Sequence, residues 1–240
     1  MSYRLYTDLA DWWPHLAERE SHADEAHLHQ SLLDEAFGAR AESVLEMGSG
    51  GGLLAAHFDR DREVVLSDIS REMLAQCRIH NPDRSCHQAD MRTMRLGRTF
   101  SAVFLHDAVM YLTSIDDLQA TFDTAAAHLD SDGVFMVLPD VVKEGFEEFC
   151  VSGGSTGIPG AQLLEWHWDP DPTDSTYQLE LSLLLKDEHG KMEAIHESHS
   201  LGLFSSQTYV QCLRAAGFEL ISGLIWDENV IPEVFCARKK

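Results

Sequence analysis

Two periodicities divide the chain. Up to Asp140, short apolar runs alternate with stretches whose apolar residues recur at helical spacing; beyond it, apolar and polar positions alternate in twos. The first 38 residues read as a helical arm ending near Gly38. SVLEM (43–47), a helix from about Gly52 to Phe58 and EVVLSD (63–68) follow, and Ser70 is placed to cap a helix containing REMLAQCRIH. CHQAD (86–90), FSAVFLHD (100–107), a helix near Asp116–Leu129 and VFMVLP (134–139), entered by an Asp132-Gly133 turn, continue the series. This alternation predicts a parallel sheet with helices on both faces. Beyond Asp140, AQLLEWHW, STYQLELSLLLK and KMEAIHESHS are separated by DPDPTD and DEHG, which predicts a cap over roughly 161–200. A helix from Ser206 to Gly217 and the strands FELISGLIW and EVFCARK close the chain. The expected fold is α/β: a doubly wound, mostly parallel seven-stranded sheet with an inserted antiparallel three-stranded cap and a helical N-terminal arm. Within one domain, residues 1–38 form the arm, 40–140 the core, 141–202 the cap insertion and 203–240 the closing helix and strands.

Composition narrows the function. A chain of 240 residues with 44% hydrophobic content buries enough surface to fold without disulfide or metal staples. Its 40 acidic against 18 basic residues give a net charge of −22. That field repels phosphate backbones and anionic membranes, so neither nucleic acid nor membrane is an expected partner. Neutral or cationic small molecules remain. Cys77, Cys86, Cys150, Cys212 and Cys236 form no tight pair, which points to reduced thiols in a cytoplasm. The opening MSYRLYTDLADWWP lacks the basic and apolar regions of a signal peptide.

Chemistry concentrates where predicted strands end. Glu46-Met47-Gly48-Ser49-Gly50-Gly51-Gly52 lies between a strand and a helix, and its glycines let backbone N–H groups approach a ligand. The sixth position of a dinucleotide fingerprint is Leu53, which disfavours a nicotinamide oxidoreductase. Asp68, twenty residues after Gly48, is placed to bind a ribose diol, and Asp90 with Met91 to frame an adenine. His106 and Asp107 end the fourth strand and Tyr111 follows closely; these are the candidates for orienting or deprotonating a substrate. His22, His27 and His29 lie among Asp24 and Glu25, but no third ligand stands at metal-binding spacing, so no metal is expected. His196 and His199 fall on opposite faces of one strand.

VLEMGSGGGLLAAHF, VVLSDISREML, HQADMR and FSAVFLHDAVMYL together resemble the class I S-adenosylmethionine-dependent methyltransferases, over most of residues 40–140. The resemblance implies a Rossmann-like fold with S-adenosyl-L-methionine as cofactor. It places Gly48, Gly50 and Gly52 on the methionine portion, Asp68 on the ribose and Asp90 with Met91 on the adenine. It adds Glu46, Ile69, Met73 and Leu105 to the cofactor-binding set. REMLAQCRIHNPDRSCHQADMRTMRLGRTFSAVF and HESHSLGLFSSQTYVQCLRAAGF further resemble aminosugar N,N-dimethyltransferases, which carry a three-stranded cap after the fifth strand. Where that family has a serine pair and a histidine, this chain reads His106, Asp107 and Tyr111. The arm of such enzymes closes over the cofactor, which implies substrate contacts for Tyr6 and Trp12. Glu165 and His167 share one face of a cap strand, opposite Trp166 and Trp168, so that one face lines an acceptor pocket or packs in a cap core or homodimer. The expected activity is methyl transfer to a small-molecule amine, with an amino sugar as the candidate acceptor. O-methyl transfer and a non-catalytic cofactor-binding module are the alternatives.

Overall fold

A computed structural model describes residues 3–17, 19–221 and 234–240. Seven strands form the main sheet: β1 (Ser43–Met47), β2 (Glu63–Asp68), β3 (Ser85–Gln88), β4 (Phe100–His106), β5 (Leu129–Leu138), β10 (Phe218–Leu220) and β11 (Phe235–Lys239). Their order is β10-β11-β5-β4-β1-β2-β3, with β11 antiparallel to both neighbours and the others parallel. The order reverses at β1, which pairs with β2 on one side and β4 on the other, and a ligand crevice opens at the carboxyl ends there.

Period-two alternation sorts the core into two layers. Val44, Ala102, Phe104, Val134 and Met136 pack against α2 (Ala23–Phe37) and α3 (Arg71–His80). Leu45, Met47, Val103, Leu105, Phe135 and Val137 pack against α4 (Ile115–Ala127) and α5 (Ser206–Ala215). Glu46 and His106 share the α2 side by the same parity. Ser70, Ser114 and Ser205 cap α3, α4 and α5 through their hydroxyls.

Four local expectations change. The segment from Gly52 to Phe58 holds turns and one 3₁₀ turn (Ala55–His57) rather than a helix, since Gly52 sits at φ +68°, outside helical space. β5 begins at Leu129, so Asp132-Gly133 is an irregularity inside the strand, with Asp132 at φ +65°. The arm consists of short turns, Arg4–Tyr6, Ala10–Trp12, α1 (Trp13–Leu16) and Arg19–His22, before α2 begins. The end of FELISGLIW and the start of EVFCARK lie outside the described residues.

The cap has four strands rather than three: β6 (Phe149–Ser155), β7 (Gly160–Trp168), β8 (Thr176–Lys186) and β9 (Met192–Gly202), all antiparallel in chain order. The added strand, FCVSGGS, is glycine- and serine-rich, mostly exposed, and lacks the apolar alternation that marks the other three. On the face turned to the core, Glu165 and Glu197 flank Leu181, and His167 and His199 flank Leu179.

Candidate active site

The glycine loop shapes the crevice. Gly48, Gly50 and Gly52 take φ of +71°, +51° and +68°. A Cβ on Gly48 would lie 2.3 Å from the Ala108 Cβ, and one on Gly52 would lie 2.5 Å from Asn81 Nδ2 and Cys77 Sγ. Asp68, at the end of β2, ties the loop down: its Oδ2 accepts from Gly50 N at 2.8 Å and its Oδ1 from Ser70 N at 2.8 Å. The arm then lies across the opening. Ser70 Oγ donates to the Tyr6 carbonyl at 2.5 Å, Gln76 donates to Asp11 at 3.0 Å, and Glu197 of the cap accepts from the N–H groups of Arg4 and Leu5.

These elements enclose a cavity of about 980 Å³. Glu46, Gly48, Gly50, Gly52, Asp68, Ile69, Met73, Asp90, Met91, His106, Asp107, Tyr111 and Tyr6 all border it. Four expected residues do not. Leu105 is fully buried on the opposite side of β4 from His106. Trp12 packs with the arm and cap, while its neighbour Trp13 borders the cavity instead. Glu165 and His167 face inward from β7, with Nε2 of His167 3.4 Å from the Glu165 carboxylate, but neither borders this cavity. Asp90 is already engaged: Arg92 forks onto its carboxylate at 2.6 Å and reaches Asp117 at 2.9 Å.

Beside the loop lies a group of titratable side chains that runs from buried Glu46 and His29 through half-buried His106 and Glu25 to Asp107 and Asp140 at the surface. His106 Nε2 stands 2.9 Å from Asp107 and 3.2 Å from Glu25. Burial alone would lower its pKa, but the charge and hydrogen bond of Asp107, with those of Glu25, hold it well above the usual histidine range. His106 is therefore an imidazolium at neutral pH and not a ready base. Desolvation by the groups around it opposes ionisation of Asp107 too, yet His106 brings its carboxyl down to about 2. Asp107 itself sits at φ +35°, a conformation costly for any residue with a Cβ. Asp140, just past β5, lies within hydrogen-bonding reach of Asp107; desolvation by the groups around it and that neighbouring charge raise its pKa well above the carboxylate range. Burial also pushes Glu46 up to about 7 and leaves its Oε2 without a hydrogen-bond partner.

His29 completes this group, its pKa lowered to about 4 by burial and by the charge of His106. Glu25, His29 and His106 bring ligand atoms within 4.8 Å of one another. The third partner that the α2 histidines lacked in sequence is thus a strand residue 77 positions on. In this arrangement the proton of His106 bridges the carboxylates.

On the cap side, Tyr6 Oη lies 2.6 Å from Tyr111 Oη, and Tyr111 Oη lies 3.1 Å from His199 Nδ1. Tyr3 stacks on His199 at 3.8 Å, and His199 Nε2 stands 3.4 Å from Glu197. Burial raises both cavity tyrosines above their ordinary range, so they act as neutral hydrogen-bonding groups. Asp140, Glu25, His29, Glu197 and His199 were missed from sequence. His29, Glu25 and His199 stood out in sequence only as histidines and an acid without a third metal ligand, and Asp140 as one more acid after a parallel strand, like Asp68, Asp90 and Asp107.

Residues 44–133 match the methyltransferase domain family. Over those residues the chain carries a methyltransferase domain. It is 29% identical over 204 residues to the dTDP-3-amino-3,6-dideoxy-alpha-D-glucopyranose N,N-dimethyltransferase of Streptomyces fradiae, covering 84% of this chain and 79% of that one. The fold matches DesVI of Streptomyces venezuelae with TM-score 0.81 at 24% identity, over 97% of this chain and 98% of the other. It matches the amino pentose methyltransferase CalS10 of Micromonospora echinaspora, solved with S-adenosylmethionine bound, with TM-score 0.78 at 22% identity, over 100% and 98%. The residues of this methyltransferase domain fit S-adenosylmethionine as cofactor. The glycine loop packs too tightly on Ala108, Asn81 and Cys77 to admit a Cβ at Gly48 or Gly52, which holds its backbone at the cavity wall, and the buried Ser49 Oγ and Glu46 Oε2 lack hydrogen-bond partners within the protein.

Two outcomes follow from this geometry. Asp68→Asn keeps the side chain's shape but removes its charge from two N–H donors. Affinity for S-adenosylhomocysteine, read by calorimetry, should fall roughly 10–100-fold. His106 gives a pH signature. A pKa raised on folding contributes stability in full below the unfolded value and loses it as pH rises through the folded value. The difference in chemical-denaturation midpoint between wild type and His106→Gln should therefore shrink toward alkaline pH; a difference that grows there would contradict an imidazolium.

Proposed function

We propose that this enzyme methylates the amine of a small-molecule acceptor, an amino sugar, held between the ends of β4 and β5 and the inward face of the cap. The observation that carries this reading is the Asp107–Asp140 carboxyl pair beside the cavity, a site suited to an ammonium group. The name of the Streptomyces fradiae relative, an amino-sugar N,N-dimethyltransferase, supports the same acceptor. Gly48, Gly50, Gly52, Asp68 and Met73 would hold the cofactor, and Asp90 and Met91 would border its far end. When bound, S-adenosylmethionine supplies a methyl group activated by sulfonium. The remaining work falls to the protein.

An ammonium has no lone pair to attack with, so it must first lose a proton. Asp107, ionised at any neutral pH, attracts the ammonium, whose charge favours loss of the Asp140 proton to solvent. The ionised pair then accepts the amine's proton and frees its lone pair. His106, held between Glu25 and Asp107, fixes the direction of the Asp107 carboxylate. The Tyr6–Tyr111–His199 chain positions the Tyr6 hydroxyl at the cavity wall, a contribution of alignment rather than of proton transfer. Tyr111→Phe should accordingly raise KM and lower kcat by roughly tenfold, without a change in the pH profile.

A panel of amino sugars and their hydroxyl analogues, assayed for S-adenosylhomocysteine release, tests the reading. Turnover is expected with the amines alone; turnover of the hydroxyl analogues would favour O-methyl transfer. The outward face of the cap exposes Val151, Leu164, Trp166 and Leu184, and a second copy of the chain is proposed to cover it. Sedimentation should then give a dimer that Trp166→Glu dissociates. Work in the cytoplasm is proposed from the five free thiols.

A further inference from the structure

We infer that the acceptor presents its amine without a phosphate or diphosphate, as a free or glycosidically linked amino sugar; this rests on the amine reading above. The relative's printed substrate is a dTDP-linked sugar. A diphosphate is recognised by lysines, arginine forks and clustered N–H donors. The acceptor side of this cavity offers the opposite. From Asp140 to Gly202 the chain has thirteen acidic residues, three lysines and no arginine.

None of those lysines is free at the site. Lys186 and Lys191 lie at the β8–β9 turn, and Lys186 is nine residues along β8 from Tyr177, about 30 Å away. Lys143 donates to the carbonyl of Asp174. Arg4, on the arm beside Glu197, is paired with Asp8 at 2.8 Å. Among the described residues that line the cavity the cations are Arg71, Arg92 and the imidazolium of His106, which is already shared between Asp107 and Glu25. Arg92 is held by Asp90 and Asp117, and Arg71 starts α3 beside Asp68, on the cofactor side. Residues 222–233 contain no lysine or arginine.

The groups gathered between the cavity wall and the cap are acidic and suited to an ammonium, with Asp107 at the wall itself. Asp107, Asp140 and Glu165 act together on the buried phenol of Tyr177, and Asp140 acts on that of Tyr209. Both rings are fully buried, and both hydroxyls lack a hydrogen-bond partner. Neither ring borders the cavity, so it is the carboxylates, Asp107 at the wall first among them, that are placed to take the ammonium. A diphosphate brought into the same space would meet like charges, and the cation nearest them, His106, is already neutralised by Asp107 and Glu25.

The test compares two forms of one amine on the full-length enzyme with S-adenosylmethionine: the methyl glycoside of 3-amino-3,6-dideoxy-glucose and its dTDP-linked form. The glycoside should be used with kcat/KM at least about tenfold higher at low ionic strength, and the gap should narrow as salt screens the field. Equal use, or preference for the dTDP-linked sugar, overturns the inference. Calorimetry of dTDP alone on the enzyme saturated with S-adenosylhomocysteine gives a second readout that does not depend on turnover. No binding is expected up to millimolar dTDP, whereas a Kd below about 0.1 mM overturns the inference. Should neither sugar be methylated while dTDP also fails to bind, the amine reading falls and the exclusion of phosphate stands.

Discussion

Gly48→Ala should cost this enzyme its cofactor. The substitution meets two obstacles at once: φ is +71°, and the new Cβ would lie 2.3 Å from the Ala108 Cβ. The left-handed conformation alone costs about 1–2 kcal/mol for a residue with a Cβ. The overlap adds more, because Ala108 opens the 3₁₀ turn after Asp107 and moves only if that turn moves. Affinity for S-adenosylhomocysteine should fall by more than about 100-fold, equivalent to about 2.7 kcal/mol. Gly38→Ala is the control. Its φ is +83° but nothing lies within 4 Å of the added Cβ, so it should lose stability and keep cofactor affinity. Equal affinity losses in the two variants would mean that the cradle has no special fit.

Asp140→Asn should lower kcat by roughly 10²–10⁴ while leaving S-adenosylhomocysteine affinity within about twofold of wild type. The amide retains the hydrogen bond to Asp107 but can accept no proton, and Asp140 does not border the cofactor cavity. The pH dependence separates this role from a structural one. Wild-type kcat/KM should rise with pH as the pair and the acceptor lose protons. In the variant the part owed to the pair should vanish, leaving only the acceptor's own ionisation. A kcat loss below tenfold would mean that the amine deprotonates directly to solvent and that alignment supplies the rate.

The architecture was legible because its parallel strands are short apolar runs and its cap strands alternate in twos, and each pattern survives in sequence without partners. β6 was not legible: FCVSGGS pairs along β7 but buries almost nothing. The cofactor side was legible because strand-end glycines and acids act locally; Gly50 and Asp68 are eighteen residues apart and meet across one turn. The proton-handling group was not. Glu25 and His29 look like a solvated helix face until β4 brings His106 onto them, and His106 looks like an ordinary base until they surround it. Leu105 was a failure of parity, since one strand cannot aim both Leu105 and His106 into the same layer. Glu165 and His167 share the inward face of β7, but neither borders the cavity.

The central claim is that this fold transfers a methyl group from S-adenosylmethionine to an amine. Mass spectrometry with trideuteromethyl-labelled cofactor tests it most directly, using the methyl glycoside of 3-amino-3,6-dideoxy-glucose as acceptor. One or two labelled methyl groups on the amine nitrogen, with matching release of S-adenosylhomocysteine, is the predicted result. Label on a sugar oxygen, or cofactor bound by the protein with no labelled product from any amine in the panel, would contradict it.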